Sequence, residues 1–125
     1  MSVPVFGSDM QNEIDHLLTF IENTECQYER NGEMHSGTDS VEHIKKKYNY
    51  FKKEIDSAEK FIELSATKST MSGQYYMVLC EDSQKIRSQE WLLQELKYYR
   101  RINSHKIFNL DLGDAVRPSA GSYER

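Results

Sequence analysis

The chain is short of the features that most directly announce a function. It carries two cysteines, two prolines and one tryptophan in 125 residues. No apolar run reaches the length that a membrane-spanning helix requires. Its N-terminus lacks a charged region followed by a hydrophobic segment, so no leader is expected in the sequence as it stands. G-x-S-x-G is missing, which removes the nucleophile elbow. The glycine and lysine spacing of a phosphate-binding loop is missing as well. Cys26 and Cys80 form no C-x-x-C pair. A zinc site would need His35 or His43 as ligands, with no third ligand fixed by spacing, so neither metal nor cofactor is expected. A net charge of −4 and a pI near 5.6 argue against nucleic acid, and Lys45-Lys46-Lys47 is too short to reverse that.

What is present fits one small domain. Hydrophobic residues make up 38% and charged residues 29%, with a mean hydropathy of −0.76, so the core must be small. Eight Tyr and five Phe compensate, because aromatic side chains bury large areas and Tyr keeps a polar tip. The organising stretch is Asp56 to Tyr76. It reads as a capped amphipathic helix that runs into the turn Ser69-Thr70-Met71-Ser72-Gly73 and emerges as a strand.

Residues 1–7 read as a flexible start. Ser8-x-x-Gln11 has the form of a capping box, and Ile14, Leu17, Leu18 and Ile21 follow at helical spacing, which predicts a helix from about Asp9 to Asn23 with His16 on its solvated side. Asn31-Gly32 predicts a tight hairpin over about 26–36, with Cys26 and Tyr28 facing inward. A second helix carries Val41, Ile44, Tyr48, Phe51 and Ile55, with His43, Lys47, Tyr50 and Glu54 along its flank. The D-x-x-E signal at Asp56 predicts a break near 54–56 and a third helix ending near Ala66 or Thr67. Tyr75 to Cys80 is the most β-prone window. Glu81 to Arg87 reads as a polar connection. Ser88 opens a fourth helix with Trp91, Leu92, Leu93, Leu96, Tyr99 and Ile102. Ile107 to Leu112 is expected to pack on the domain or a sheet edge, and the end of the chain to be loose. The two cysteines stay open at this point between one disulfide, which would contribute roughly 4 kcal/mol, and two buried thiols.

Arg30-Asn31-Gly32, Val41-x-His43-Ile44-x-x-Lys47-Tyr48, Ser57-Ala58-Glu59-x-Phe61-Ile62 and Ser69-x-x-Ser72-Gly73-x-x-Tyr76-x-Val78 resemble the YfeK-like proteins. These are small, uncharacterised proteobacterial envelope proteins, and the similarity covers roughly Leu17 to Arg100. The family has no assigned activity. The resemblance implies a periplasmic or secreted location, with a cytoplasmic one as the alternative because the family's leader is not seen here. In an oxidising compartment the disulfide becomes the favoured state of Cys26 and Cys80.

Each candidate group has a bland reading beside its functional one. His43 and Lys47, four apart on a helix, are able to grip an anion or provide a base, but a lone helical histidine is more often bonded to a nearby polar group. Ser69, Thr70 and Ser72 before Gly73 offer hydroxyls and turn amides for an anion, or simply cap the helix and make the turn. Arg30 is a candidate ligand-gripping guanidinium; pairing with Glu59 or Glu54 is the commoner role. Tyr48, Tyr50, Tyr75, Tyr76, Tyr98 and Tyr99 divide between core and an interaction patch.

The sequence therefore predicts an α+β fold, with four helices packed on an antiparallel sheet of two to three strands. The domain is expected over 8–112, with a loose tail over 113–125. The predicted function is non-enzymatic binding of a peptide, a glycan fragment or another envelope protein. The binding residues would be Arg30, Asn31, His43, Lys47, Ser69, Ser72, Gly73 and Tyr76. Two alternatives are an inhibitor or immunity partner of a secreted enzyme, and a small hydrolase using His43 and Ser72.

Overall fold

A computed structural model describes residues 6–108, with side chains described from Asp9 to Ser104. In chain order the elements are α1 (Phe6–Glu22), β1 (Gln27–Arg30), β2 (Glu33–His35), α2 (Gly37–Phe51), α3 (Ala58–Ser65), β3 (Met77–Leu79), β4 (Ile86–Arg87) and α4 (Ser88–Phe108). The fold is α+β, and among the described residues the sheet has four strands rather than two or three, in the order β2-β1-β3-β4, all antiparallel. The extra strand lies inside the stretch read as a polar connection. Two residues are too few to show an alternating pattern, and only pairing with Met77 and Val78 makes Ile86 and Arg87 a strand.

Local chemistry explains most boundaries. Asn31 and Gly32 take positive φ angles of 53° and 84° and close the predicted two-residue hairpin. Ser36 caps α2 by accepting from the Asp39 amide, and Ser57 caps α3 by accepting from the Lys60 amide. The cap of α3 is therefore Ser57 and not Asp56. The chain leaves helical geometry at Ile55 as predicted, after one 3-10 turn over Lys52–Glu54. Helix α1 starts at Phe6, inside the stretch read as flexible, so the backbone at Ser8 is already helical rather than preceding the helix. The Ser88 hydroxyl is bonded to the Tyr28 hydroxyl at 2.8 Å. Helix α4 runs on through Ile107 and Phe108, while the rest of that segment and the expected tail lie outside the described residues.

Ile14, Leu17 and Ile21 of α1, Val41 and Ile44 of α2, Phe61 and Ile62 of α3 and Leu92 and Leu96 of α4 are buried together. Tyr28 and Val78 join them from the inner face of the sheet, with Ile86 partly buried beside them. Gln27 and Arg87 point the other way and are exposed, and Glu29 meets Lys85 at 2.7 Å. His16 is half-buried rather than solvated. Its Nε2 lies 2.7 Å from the buried Glu95 carboxylate, and its ring stacks on Tyr99 at 4.2 Å.

Two covalent or steric constraints fix the frame. Cys26 and Cys80 form a disulfide one step beyond the Gln27↔Leu79 pair, tying the hairpin to β3. At the start of α2, a Cβ on Gly37 would collide with the carbonyl oxygen of Ile21. Reducing the disulfide releases a loop spanning 54 positions, so stability falls by roughly 4 kcal/mol in the chain-entropy treatment; urea unfolding with and without reductant measures this, and free-thiol counting on the oxidised protein gives none. Gly37→Ala forces α1 and α2 apart and lowers stability by about 1–3 kcal/mol, read from the same unfolding curves.

Candidate functional site

The β1–β3 register decides which side chains meet. Continued one step past Glu29↔Met77 and Tyr28↔Val78, it brings Arg30 opposite Tyr76. Residues two apart on a strand share a face, so Tyr28 and Arg30 both turn toward α2. The Tyr76 backbone is held on both sides, its amide donating to the Thr67 carbonyl and its carbonyl accepting from the Ser88 amide. From α2, Ser40, His43, Ile44 and Lys47 recur at helical spacing along one stripe. Tyr28, Arg30, Ser40, His43, Ile44 and Tyr76 together line a cleft whose cavity is about 10 Å³. That is about the space one water molecule needs, so a larger ligand would rest on the mouth and insert a single atom.

Lys47 donates to the Lys68 carbonyl at 2.7 Å and to the Tyr76 hydroxyl at 3.1 Å. The same hydroxyl lies 3.1 Å from His43 Nε2. Because the ammonium can only donate, Tyr76 Oη accepts from Lys47, and its proton is directed to a neutral His43. Burial and then the charges of Arg30, Lys47, Lys46 and His35 hold His43 well below its ordinary value, at about 4. Burial likewise lowers Lys47 and raises Tyr76, Arg30 partly offsetting the latter.

Among the described residues, Arg30 has no carboxylate partner. The expected pairing with Glu59 or Glu54 does not form. Glu59 is bonded to Arg100, which also grips Glu13 and so ties α1, α3 and α4 together. This hydrogen bonding lowers the Glu59 carboxyl.

The remaining predicted residues form an adjoining support. Ser72 Oγ donates to Asn31 Oδ1 at 2.6 Å, joining the turn after α3 to the hairpin turn. The Gly73 amide donates to the Ser69 carbonyl, the Ser72 amide to Ser69 Oγ, and the Gln74 amide to Ser72 Oγ. Those amides are engaged inside the turn, so Ser69 and Gly73 (φ 77°) shape it instead of forming an anion nest. Ser72 and His43 have different partners, Asn31 and Tyr76, and do not make the bond that a nucleophile and its base require. The flank of α2 also divides: His43 lines the cleft, Lys47 lies behind it on the Lys68 carbonyl and the Tyr76 hydroxyl, and Tyr50 is 81% exposed. Sequence reasoning missed Ser40 and the part played by Tyr28. Ser40 stands three before His43 and four before Ile44, so its place on the stripe was readable, but serine in a helix carries no strong signal.

A family described as a family of unknown function (DUF5329) matches residues 8–100. The chain belongs to that family. The match spans every element that builds the cleft of this DUF5329 protein. No curated protein and no solved structure gives a significant match to it. Among the described residues no helix is long and apolar enough to cross a membrane, and no cluster of three metal-ligating side chains occurs.

The depressed His43 value fixes the sign of a pH effect. The unfolded chain takes up a proton near pH 6.5, the folded chain only near 4, so this contribution is complete above 6.5 and is lost as pH falls through that window. The urea midpoint therefore drops more steeply between pH 6.5 and 4 in the wild type than in His43→Gln. An NMR titration of the ring finds its midpoint near 4.

Proposed function

We propose that this DUF5329 domain is a non-enzymatic binding module that takes an anionic group at the cleft between the hairpin and α2. The observation that carries this reading is Arg30: a guanidinium with no carboxylate partner among the described residues, at a cleft it shares with His43 and near Lys47, in a chain of net charge −4. Cations left unpaired in an acidic protein raise the local concentration of an anion and orient it. Asn31, Ser69, Ser72 and Gly73 serve as the rigid rim, and Tyr76 as the wall that holds Lys47 and His43. The disulfide and the YfeK-like resemblance support an oxidising, extracytoplasmic setting in a bacterial envelope, where peptide and glycan fragments are the available ligands.

A protein-directed role, as inhibitor or immunity partner, is favoured by one separate feature. Met71 is 95% exposed at the tip of the turn beside the cleft, a flexible apolar side chain of the kind used at interaction surfaces. Thermal unfolding against small anions and neutral compounds of equal size tests the main reading. An anion at ten times its Kd adds about 1.4 kcal/mol and raises Tm by several degrees. Neutral compounds leave Tm unchanged, and Arg30→Ala removes the response. A Tm that no anion moves would sink the reading.

A further inference from the structure

The floor of the cleft holds a polar atom that nothing in the fold uses. Ser40 is 2% exposed, lines the cavity, and its Oγ has no hydrogen-bond partner among the described residues. A buried hydroxyl without a partner is costly, and alanine would favour the helix more. The neighbouring donors have a definite character. The Arg30 guanidinium is a planar fork of N–H groups, suited to a planar acceptor with two oxygens. Ile44 and the rings of Tyr28 and Tyr76 complete an apolar wall.

We infer that the cleft is a carboxylate site, in which one carboxylate oxygen enters the cavity and accepts from Ser40 Oγ while Arg30 holds the group at the mouth. This deepens the anion-binding reading and rests on it. Charge separates a carboxylate from a phosphate monoester, since the cavity of about 10 Å³ admits one oxygen-sized atom of either. The Lys47 ammonium is turned to Lys68 and Tyr76, and His43 is neutral near pH 7, so Arg30 faces the ligand as a single charge. A monoanion matches it, whereas a monoester carrying about −1.5 to −2 leaves charge unanswered in a partly buried place.

The test compares N-acetylalanine, its amide, glucuronate and inorganic phosphate, each titrated into the full chain with His43 ring shifts and Tm as readouts. N-acetylalanine or glucuronate binds, the amide does not, and phosphate is weaker; which of the two carboxylates is tighter separates a peptide end from a sugar acid. Ser40→Ala leaves Tm of the free protein unchanged or raised and weakens the carboxylate by about tenfold, the loss of one hydrogen bond to a charged group. Arg30→Lys, which keeps the charge but loses the fork, also weakens it. Tighter binding of phosphate, or full affinity in Ser40→Ala, overturns the carboxylate assignment while leaving anion binding at Arg30 intact, whereas equal binding of the acid and its amide overturns both. A lower Tm in Ser40→Ala with unchanged affinity identifies the hydroxyl as a holder of structural water and overturns it too. Failure of every anion removes both readings together.

Discussion

The pairing of β1 with β3 is the constraint on which the rest of the structure depends. The ladder is only three residue pairs long and its flanking strands have three and two residues, so hydrogen bonding alone specifies register weakly. The disulfide removes that freedom at one end, since Cys26 and Cys80 stand opposite each other only in this register. A slip of β1 by one residue against β3 would turn Tyr28 out of the core and carry Arg30 to the opposite face with it. The same register that buries the tyrosine therefore creates the cationic cleft. At the other end, the Ser72–Asn31 bond closes the ladder non-covalently.

Charge is distributed unevenly around this frame. On the α1–α3–α4 side, Arg100 is held by two carboxylates, and His16 by Glu95. On the hairpin–α2 side, Lys47 meets a carbonyl and a phenol, and among the described residues no carboxylate lies within ion-pair distance of Arg30. Desolvation is tolerated at Lys47 because its ammonium finds a carbonyl and a phenol, and at His43 because the ring stays neutral. The phenol of Tyr76 is the hinge of this arrangement: it accepts from one and donates to the other.

Much of the fold was legible because local signals agreed with one another. Asn-Gly, the break before Asp56 and the helical stripes of α1, α2 and α4 each carry a short-range physical cause. The failures came where the cause is long-range. Ile86 and Arg87 become a strand only through β3, His16 is drawn inward by a glutamate 79 positions away, and Glu59 is held by Arg100, 41 positions on. Of the candidate site, Arg30, His43, Lys47 and Tyr76 were found from residue type and spacing. That Asn31 and Ser72 bind each other follows from the turn meeting the hairpin, which no local pattern contains.

The distribution of local conflict is the strongest guide to where function resides. Elsewhere, apart from Ser65, the buried polar side chains of the described residues are answered, Tyr28 by Ser88, Thr67 by the Ile62 carbonyl and Glu95 by His16. Ser65 of α3 has an unanswered hydroxyl, but no desolvated cation is grouped with it at a cleft. Around the cleft, four residues depart from what stability favours: an orphan hydroxyl at Ser40, an unpaired guanidinium at Arg30, and desolvated basic groups at His43 and Lys47. Sequences that fold well tend to concentrate such conflicts where binding repays them. A ligand that supplies a negative oxygen would answer the hydroxyl and the guanidinium together.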